Sequence, residues 1–308
     1  MKIKTLALLF LVGCGSPPPA ASQADPDLSA KAPSPPSGSP PSGRKMDPGS
    51  AEEAFYRGVD QEKAGDKVAA EKSYREALAK SPTLDEAMMN LSALLIEGKH
   101  FEEAAKLLRE AIRRRKDDAP LHTNLAVALA SLGDTAASSK EFEEAARLAP
   151  NDAAVRITHA AWLSSWKDRA GALQKLGEAK ALAREDAGVL AEIGFEQKAL
   201  GAFVECVGTL DRAISLRESA ELRTYRGLCK LGMKDTEGAV ADFKGAIQTE
   251  PNSAPAHYYL AGRYAEAGKV KEASAEYEAY LKLAPAGPLA QQAKDRLALL
   301  ASKGAKKK

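Results

Sequence analysis

From residue 51 onward, apolar residues recur at helical spacing in short blocks separated by turn residues. Leu121, Leu125, Ala128 and Leu132 fall on one face, Gly133-Asp134 breaks the run, and Phe142, Ala145 and Leu148 resume it. Recurrence at three and four residues marks an amphipathic helix, and a Gly-Asp pair stops one helix and opens the next. The unit is a helical hairpin, and it repeats. Pro82, Pro150, Pro251 and Pro285 are separated by 68, 101 and 34 residues: two periods of 34, three periods less one residue, and one period. Each proline sits just past a second helix, where it blocks continuation. Registers beginning at 51, 85, 119, 153, 187, 220 and 254 give seven hairpins. Beyond them Pro288 precedes Leu289, Ala293, Leu297 and Leu300, with Gln291, Lys294, Asp295 and Arg296 on the other side. This reads as one extra helix with a polar back, the cap that the open end of a repeat array needs.

The period and residue pattern resemble the tetratricopeptide-repeat (TPR) family. In that family, slots 8, 20 and 27 of each unit are small because the paired helices touch there, and slot 24 is a large apolar knob. Slot 24 here holds Tyr74, Leu108, Phe142, Leu176, Leu210, Phe243 and Tyr277. Slot 8 holds only Gly, Ser or Ala, from Gly58 to Ala261, and slot 20 adds one Cys, Cys206. Slot 27 is alanine from Ala77 to Ala246 and departs only at Tyr280. An alanine-rich chain would supply small residues by chance, but not a large one at slot 24 in every unit. The resemblance implies an all-α fold, a right-handed superhelical solenoid of about seven TPR helix-turn-helix repeats over 51–287, followed by a capping helix and basic tail over 288–308. Gly65, Gly98, Gly201 and Gly268 mark turns between paired helices. Lys116, Arg184 and Glu218 replace the terminal proline in three units. In the sixth unit, Gly232 comes early and the turn around Lys234 is stretched, so its first helix is expected to be short or shifted.

The resemblance also implies that slots 2, 5, 9, 12 and 13 of the first helices line a concave groove. The residues so placed, Phe55, Val59, Met89, Ile96, Val127, Ile157, Phe195, Leu228 and Tyr258, form a mostly apolar trough with Glu52, Glu86, Glu221 and Glu266 nearby. Such a trough suits an amphipathic helix or extended peptide of a partner protein. The alternative is that these side chains bury one another in a tightly wound solenoid. Some TPR domains hold a C-terminal carboxylate with lysines and asparagines. Asn90 and Asn124 stand at slot 6, but slot 5 carries no lysine and slot 2 is Glu52, Glu86 and Pro120 in the first three units. The clamp is incomplete.

The N-terminal segment changes the picture of where this body works. Residues 1–16 read MKIKTLALLFLVGCGS: Lys2 and Lys4, then a short apolar core from Leu6 to Val12. That core is too short to span a bilayer, which takes about 20 residues, and reads as a secretory signal. Leu11-Val12-Gly13-Cys14 resembles the bacterial lipoprotein box, which implies cleavage after residue 13 and a lipidated Cys14 as first mature residue. Gly15, rather than Asp, then implies sorting to the outer membrane, facing the periplasm. Ten of the 17 prolines fall between residues 17 and 48. A segment so poor in apolar residues cannot supply a core and reads as a solvated tether over 14–50; a Pro-rich docking motif is the lesser alternative.

Composition mainly excludes. Apolar residues make up 44% of the 308 and charged residues 28%, with a net charge of +2. A chain this close to neutral lacks the basic face of a nucleic-acid binder. Three cysteines and four scattered histidines offer neither a disulfide framework nor a zinc site. In an oxidising envelope Cys206 and Cys229 can pair, and buried free thiols are equally natural. His159 beside Trp162 and Trp166 reads as a packed or surface histidine, and the run Arg113-Arg114-Arg115-Lys116 as a cationic helix end complementing the dipole. No G-x-S-x-G, P-loop or H-E-x-x-H is present. No cofactor, metal, small-molecule substrate or catalysis is expected. The sequence reads as a membrane-anchored scaffold for other envelope proteins; a narrower alternative of the same architecture is a pilotin assisting secretin assembly in type IV pilus biogenesis. An enzyme using the groove is the distant third reading.

Overall fold

The computed structural model describes residue 47 and residues 49–305, the last three without their side chains. The signal segment, Cys14, almost all of the tether and the end of the basic tail lie outside the described residues. The described chain is all-α, with fifteen helices and no strand among the described residues. They follow one another as antiparallel pairs: α1 (Ala51–Lys63) with α2 (Lys67–Lys80), α3 (Asp85–Glu97) with α4 (Phe101–Arg114), α5 (Ala119–Ser131) with α6 (Thr135–Leu148), and α7 (Ala153–Ser165) with α8 (Arg169–Ala183). Then come α9 (Ala187–Ala199) with α10 (Phe203–Leu216), α11 (Ala220–Gly232) with α12 (Thr236–Thr249), α13 (Ala254–Glu266) with α14 (Val270–Leu283), and the single α15 (Ala290–Ala305). The chain forms two compact units: the described residues up to Lys175, and Leu176 onward.

One turn design joins the helices of every pair. Its middle residue lies in the left-handed region: Gly65, Lys99, Gly133, Lys167, Gly201, Lys234 and Gly268, with φ between 62° and 85°. The next residue reaches back to a carbonyl five positions earlier, as Asp66 does to Gln61 at 2.9 Å and Asp235 to Lys230 at 2.9 Å, closing a Schellman-type end. That same residue begins the second helix. Asp66, Asp134 and Asp235 each accept a hydrogen bond from the backbone amide three residues on, satisfying an otherwise orphaned donor. The turn of the second pair spans Gly98 and Lys99, where the glycine marks it, with Lys99 rather than Gly98 (φ −75°) in the left-handed region. One sequence expectation is corrected here. The sixth pair is neither short nor shifted: α11 has the same 13 residues as the other first helices, because Lys234 adopts the left-handed turn itself. Gly232 answers a different need. A Cβ there would lie 2.5 Å from the Phe203 ring at the start of α10.

Within each pair the helices meet where the small and large slots predict. A Cβ on Gly58 would lie 2.6 Å from the Tyr74 ring, on Gly194 2.6 Å from Leu210, and on Gly227 2.7 Å from Phe243. The knob therefore needs the hole opposite it, and every knob from Tyr74 to Tyr277 is at most 2% exposed. Such close packing leaves no room for an extra methylene. Tyr280, the one large residue at slot 27, is also buried. No eighth hairpin follows it, and its hydroxyl instead accepts the Leu289 amide at 3.0 Å just ahead of α15. Leu289, Ala293 and Leu300 are buried beside Tyr277 and Tyr280, so α15 caps the array as its apolar stripe predicts.

Polar clasps tie neighbouring hairpins. The His122 ring lies with Nδ1 2.6 Å from Glu141 Oε2 and Nε2 2.9 Å from the Lys116 carbonyl. His257 repeats the arrangement four units later, with Glu276 at 2.5 Å and the Pro251 carbonyl at 3.0 Å. Each histidine thus joins its own second helix to the end of the preceding hairpin. Cys206 of α10 and Cys229 of α11, both fully buried, form a disulfide between the fifth and sixth hairpins.

Candidate partner-binding face

The first helices of the N-terminal unit carry six of the expected trough residues, and they do not form an open strip. Val59 (6% exposed), Met89 (7%) and Val127 (2%) are packed away; Phe55, Ile96 and Ile157 are half-buried. Val127 is covered by Ile96, Phe142, Trp162 and Trp166. Residues 121–130 of α5 are buried without a break, the polar His122, Thr123 and Asn124 included. Phe55 lies against Tyr56 and Tyr74, with ring centroids 5.2 and 5.8 Å away. In this unit the mutual-burial alternative describes the trough residues better than an exposed strip does.

Both clamp asparagines are buried, but only Asn90 is committed to a neighbour; the Asn124 side-chain oxygen makes no hydrogen bond among the described residues. Asn90 donates to the Tyr74 hydroxyl at 3.1 Å, and Tyr74 donates to Glu62 at 2.7 Å. Burial, with the Glu62 bond next, pushes the Tyr74 phenol well above its ordinary range. His159 is buried and stacked on Phe142, with centroids 4.7 Å apart. In the run at 113–116, Arg114 donates to Asp85 Oδ1 at 2.7 Å and Arg115 pairs with Asp118.

The C-terminal unit is built differently. Phe195, Leu228 and Tyr258 are all half-buried. Phe195 of α9 stacks on Tyr225 of α11 with ring centroids 3.9 Å apart. Tyr259 stands at the same slot of α13, a helix that touches α11, and rests on Phe243 at 5.7 Å. The aromatic strip thus runs α9–α11–α13. At its far end the Tyr258 hydroxyl donates to Gln292 of α15 at 2.9 Å, so the cap takes that position.

Carboxyls flank the strip. Glu192 and Glu196 stand one turn apart on α9, and Glu221 stands one turn before Tyr225 on α11. Burial holds all three above the usual carboxylate range, and neighbouring acids push the same way: Asp186 on Glu192, Glu192 on Glu196, Glu250 on Glu221. Arg217 offsets only part of this at Glu221. Burial also raises Tyr225, helped by Glu221, and pushes Tyr259 up to about 12. Lys198 lies with its amine 5.9 Å from the Tyr225 ring centroid, and burial pulls that amine down. The sequence reading found Phe195, Leu228 and Glu221 here but missed Tyr225, Tyr259, Glu192 and Glu196. They occupy slots 6 and 10, outside the groove set, and the signal for them was two tyrosines at slot 6 in consecutive units.

No three His, Cys, Asp or Glu side chains gather to hold a metal among the described residues. None of the described helices is long and apolar enough to cross a membrane.

Two family models, each described as a tetratricopeptide repeat, match residues 49–184 and 230–297, together about two thirds of the chain. No curated protein matches the sequence significantly. Among solved structures, the C-terminal part of a TPR-repeat protein from Cytophaga hutchinsonii is similar at a TM-score of 0.60 and 14% identity, covering 79% of this chain and 99% of that one. A TPR protein from Parabacteroides merdae aligns at 0.54 and 17%, covering 82% and 98%. PilW, a type IV pilus biogenesis factor, aligns at 0.54 and 15%, covering 68% and 98%. At these identities the likeness is one of fold.

Proposed function

The chain belongs to the tetratricopeptide-repeat family, and from that premise we propose that it is a lipid-anchored adaptor of the bacterial cell envelope. In this reading it has no catalysis of its own and grips a segment of another envelope protein on the first-helix face of its C-terminal unit. The observation that carries the binding reading is the half-exposed strip Phe195–Tyr225–Leu228, which crosses two hairpins. Aromatic and aliphatic side chains that stay partly exposed in a well-packed solenoid are the usual anchors of an interface. The lipobox-like segment ending at Cys14 supports the anchor. The Cys206–Cys229 bridge supports an oxidising compartment, because structural disulfides persist there and are rare in the cytosol. Two or more acyl chains at ~0.8 kcal/mol per buried methylene hold a protein stably on a membrane. The Pro-rich tether then raises the local concentration of the solenoid at partners on the same membrane.

The narrower reading is a pilotin-like lipoprotein for an outer-membrane secretin. Leader plus repeats is the architecture that favours it, and PilW, which shares the fold, is a pilus factor.

The test is affinity capture from detergent-solubilised envelope, comparing the native protein with a folded Phe195→Glu/Leu228→Glu variant. Loss of one partner in the variant supports the face, and that partner's identity separates secretin from other machinery. Equal recovery by both proteins removes the face from consideration. Independently, Cys14→Ala is expected to release the protein from the membrane or leave it unprocessed; normal processing with membrane retention refutes the anchor.

A further inference from the structure

Two of the four histidines are held at both ring nitrogens, and in the same way. His122, in the first turn of α5, has Nδ1 2.6 Å from Glu141 Oε2 and Nε2 2.9 Å from the Lys116 carbonyl. His257, in the first turn of α13, has Nδ1 2.5 Å from Glu276 Oε2 and Nε2 3.0 Å from the Pro251 carbonyl. His159 is instead stacked on Phe142, and His100 is exposed. A carboxylate and a carbonyl can only accept a hydrogen bond. Each of these two rings therefore faces an acceptor on both sides, and both bonds form only when both nitrogens carry a proton. The second proton belongs on the ring, because an imidazole is more basic than a carboxylate by about two pH units.

The charges around each ring suit a cation. Glu141 faces His122 from α6, with Glu144 on the same helix within electrostatic reach of the ring. Ahead of α5, Arg115 is engaged by Asp118, and on α3, which also touches α5, Asp85 is engaged by Arg114. Glu276 faces His257 from α14, and on α11, which also touches α13, Arg226 and Lys230 are engaged by Asp242. Little water reaches either ring, since the two side chains are 9% and 12% exposed. A neutral imidazole donates from one nitrogen only. Loss of the second proton therefore sets a lone pair against an acceptor, with little solvent to replace the missing donor. The ring then releases either its own second helix or the end of the preceding hairpin.

We propose that His122 and His257 are proton-gated joints, closed while the ring is an imidazolium and loosened when it is neutral. One joint ties the second hairpin to the third within the N-terminal unit, and the other ties the sixth to the seventh within the C-terminal unit. Histidine is the side chain whose charge ordinarily changes between about pH 5 and 8. The folded joint needs the second proton and the unfolded chain does not. Its stabilisation is therefore present in acid and lost as pH rises. Neither joint involves the Phe195–Tyr225–Leu228 strip or the anchor, so its test stands apart from those readings.

Two measurements on the full chain test this. Nitrogen-15 NMR of the histidine rings reads the protonation of each nitrogen between about pH 5.5 and pH 8.5. Amide hydrogen exchange over the same range, corrected for the intrinsic effect of pH on exchange, reads the opening of each hairpin junction. His122→Gln and His257→Gln are measured singly; each removes one titrating ring and keeps a donor, and the other joint serves as its control. The expected result is that both rings are imidazolium at the acid end and neutral at the basic end. Protection at the α4–α5 and α12–α13 junctions should fall at least ~10-fold as the proton leaves, as expected for loss of a hydrogen bond to a charged group. Each variant should lose that response at its own junction only. A ring neutral at the acid end overturns the proposal, and a ring still charged at the basic end overturns the gate while leaving a fixed ion pair. Junction protection that ignores pH, or a response that survives at the substituted junction, overturns it as well.

Discussion

Breaking the Cys206–Cys229 bridge should loosen the fifth and sixth hairpins selectively. The cysteines are 23 residues apart in sequence. Chain-entropy reasoning for a loop of that length predicts ~3.4 kcal/mol of stabilisation at 25 °C, through the freedom the bridge removes from the unfolded chain. In a repeat array each unit contacts only its neighbours, so the loss stays local. Both thiols are fully buried, so reduction requires refolding from denaturant with reductant present. Amide hydrogen exchange read by mass spectrometry then gives stability segment by segment. Protection across α10 and α11 should fall roughly 300-fold, the equivalent of that free energy at a factor of ten per 1.4 kcal/mol. Peptides from α3 to α6, two hairpins or more away, should be unchanged. A Cys206→Ala/Cys229→Ala variant checks the same quantity without reductant. Equal protection in oxidised and reduced protein would refute the staple, and an equal loss throughout would refute its being local.

Three further outcomes follow from packing and charge. Ala145→Leu at slot 27, where the side chain is fully buried, should overpack the third hairpin and cost ~1–3 kcal/mol in urea denaturation; an unchanged midpoint would mean the register is misplaced. Lys234→Gly should stabilise by ~0.5–1 kcal/mol. Its left-handed backbone costs a side chain about 1–2 kcal/mol, and glycine returns part of that gain as unfolded-state entropy. A lower melting temperature would refute this. Glu196→Gln should raise stability near neutral pH. The native state holds this carboxyl above its ordinary value of 4.5 through burial and Glu192, so the ionised form is disfavoured by folding. The penalty is present above the raised value and disappears as pH falls through it. The variant's advantage should therefore be present at pH 7 and absent at pH 4; an equal midpoint at pH 7 would show a fully solvated carboxylate.

The framework was legible in the sequence because it is set by contact between backbones. Where two helices approach closely, only Gly, Ala, Ser or Cys fits, and the constraint leaves a mark at fixed spacing. Gly58 under Tyr74 and Gly227 under Phe243 are such marks. The turns were less legible, because the left-handed position accepts lysine at a modest cost. Lys99, Lys167 and Lys234 take the left-handed position that Gly65 and Gly133 take elsewhere, and so the glycines alone made the sixth turn look stretched. The clasps were legible in principle. His122 to Glu141 and His257 to Glu276 share a separation of 19 residues and the same slots, a pattern that becomes visible only when the repeats are laid over one another.

The face itself was the least legible part, and the reason is physical. Slot numbering says which way a side chain points from its own helix, not how much of it the next hairpin covers. Val127 and Leu228 occupy the same slot. The first lies beneath two tryptophans and an isoleucine, whereas the second remains half-exposed. The difference comes from bulk on neighbouring helices: Trp162 and Trp166 fill the N-terminal unit's first-helix side. In the C-terminal unit Phe195 and Tyr225 lie ring against ring, tilted by 33° with centroids 3.9 Å apart, and both stay half-exposed.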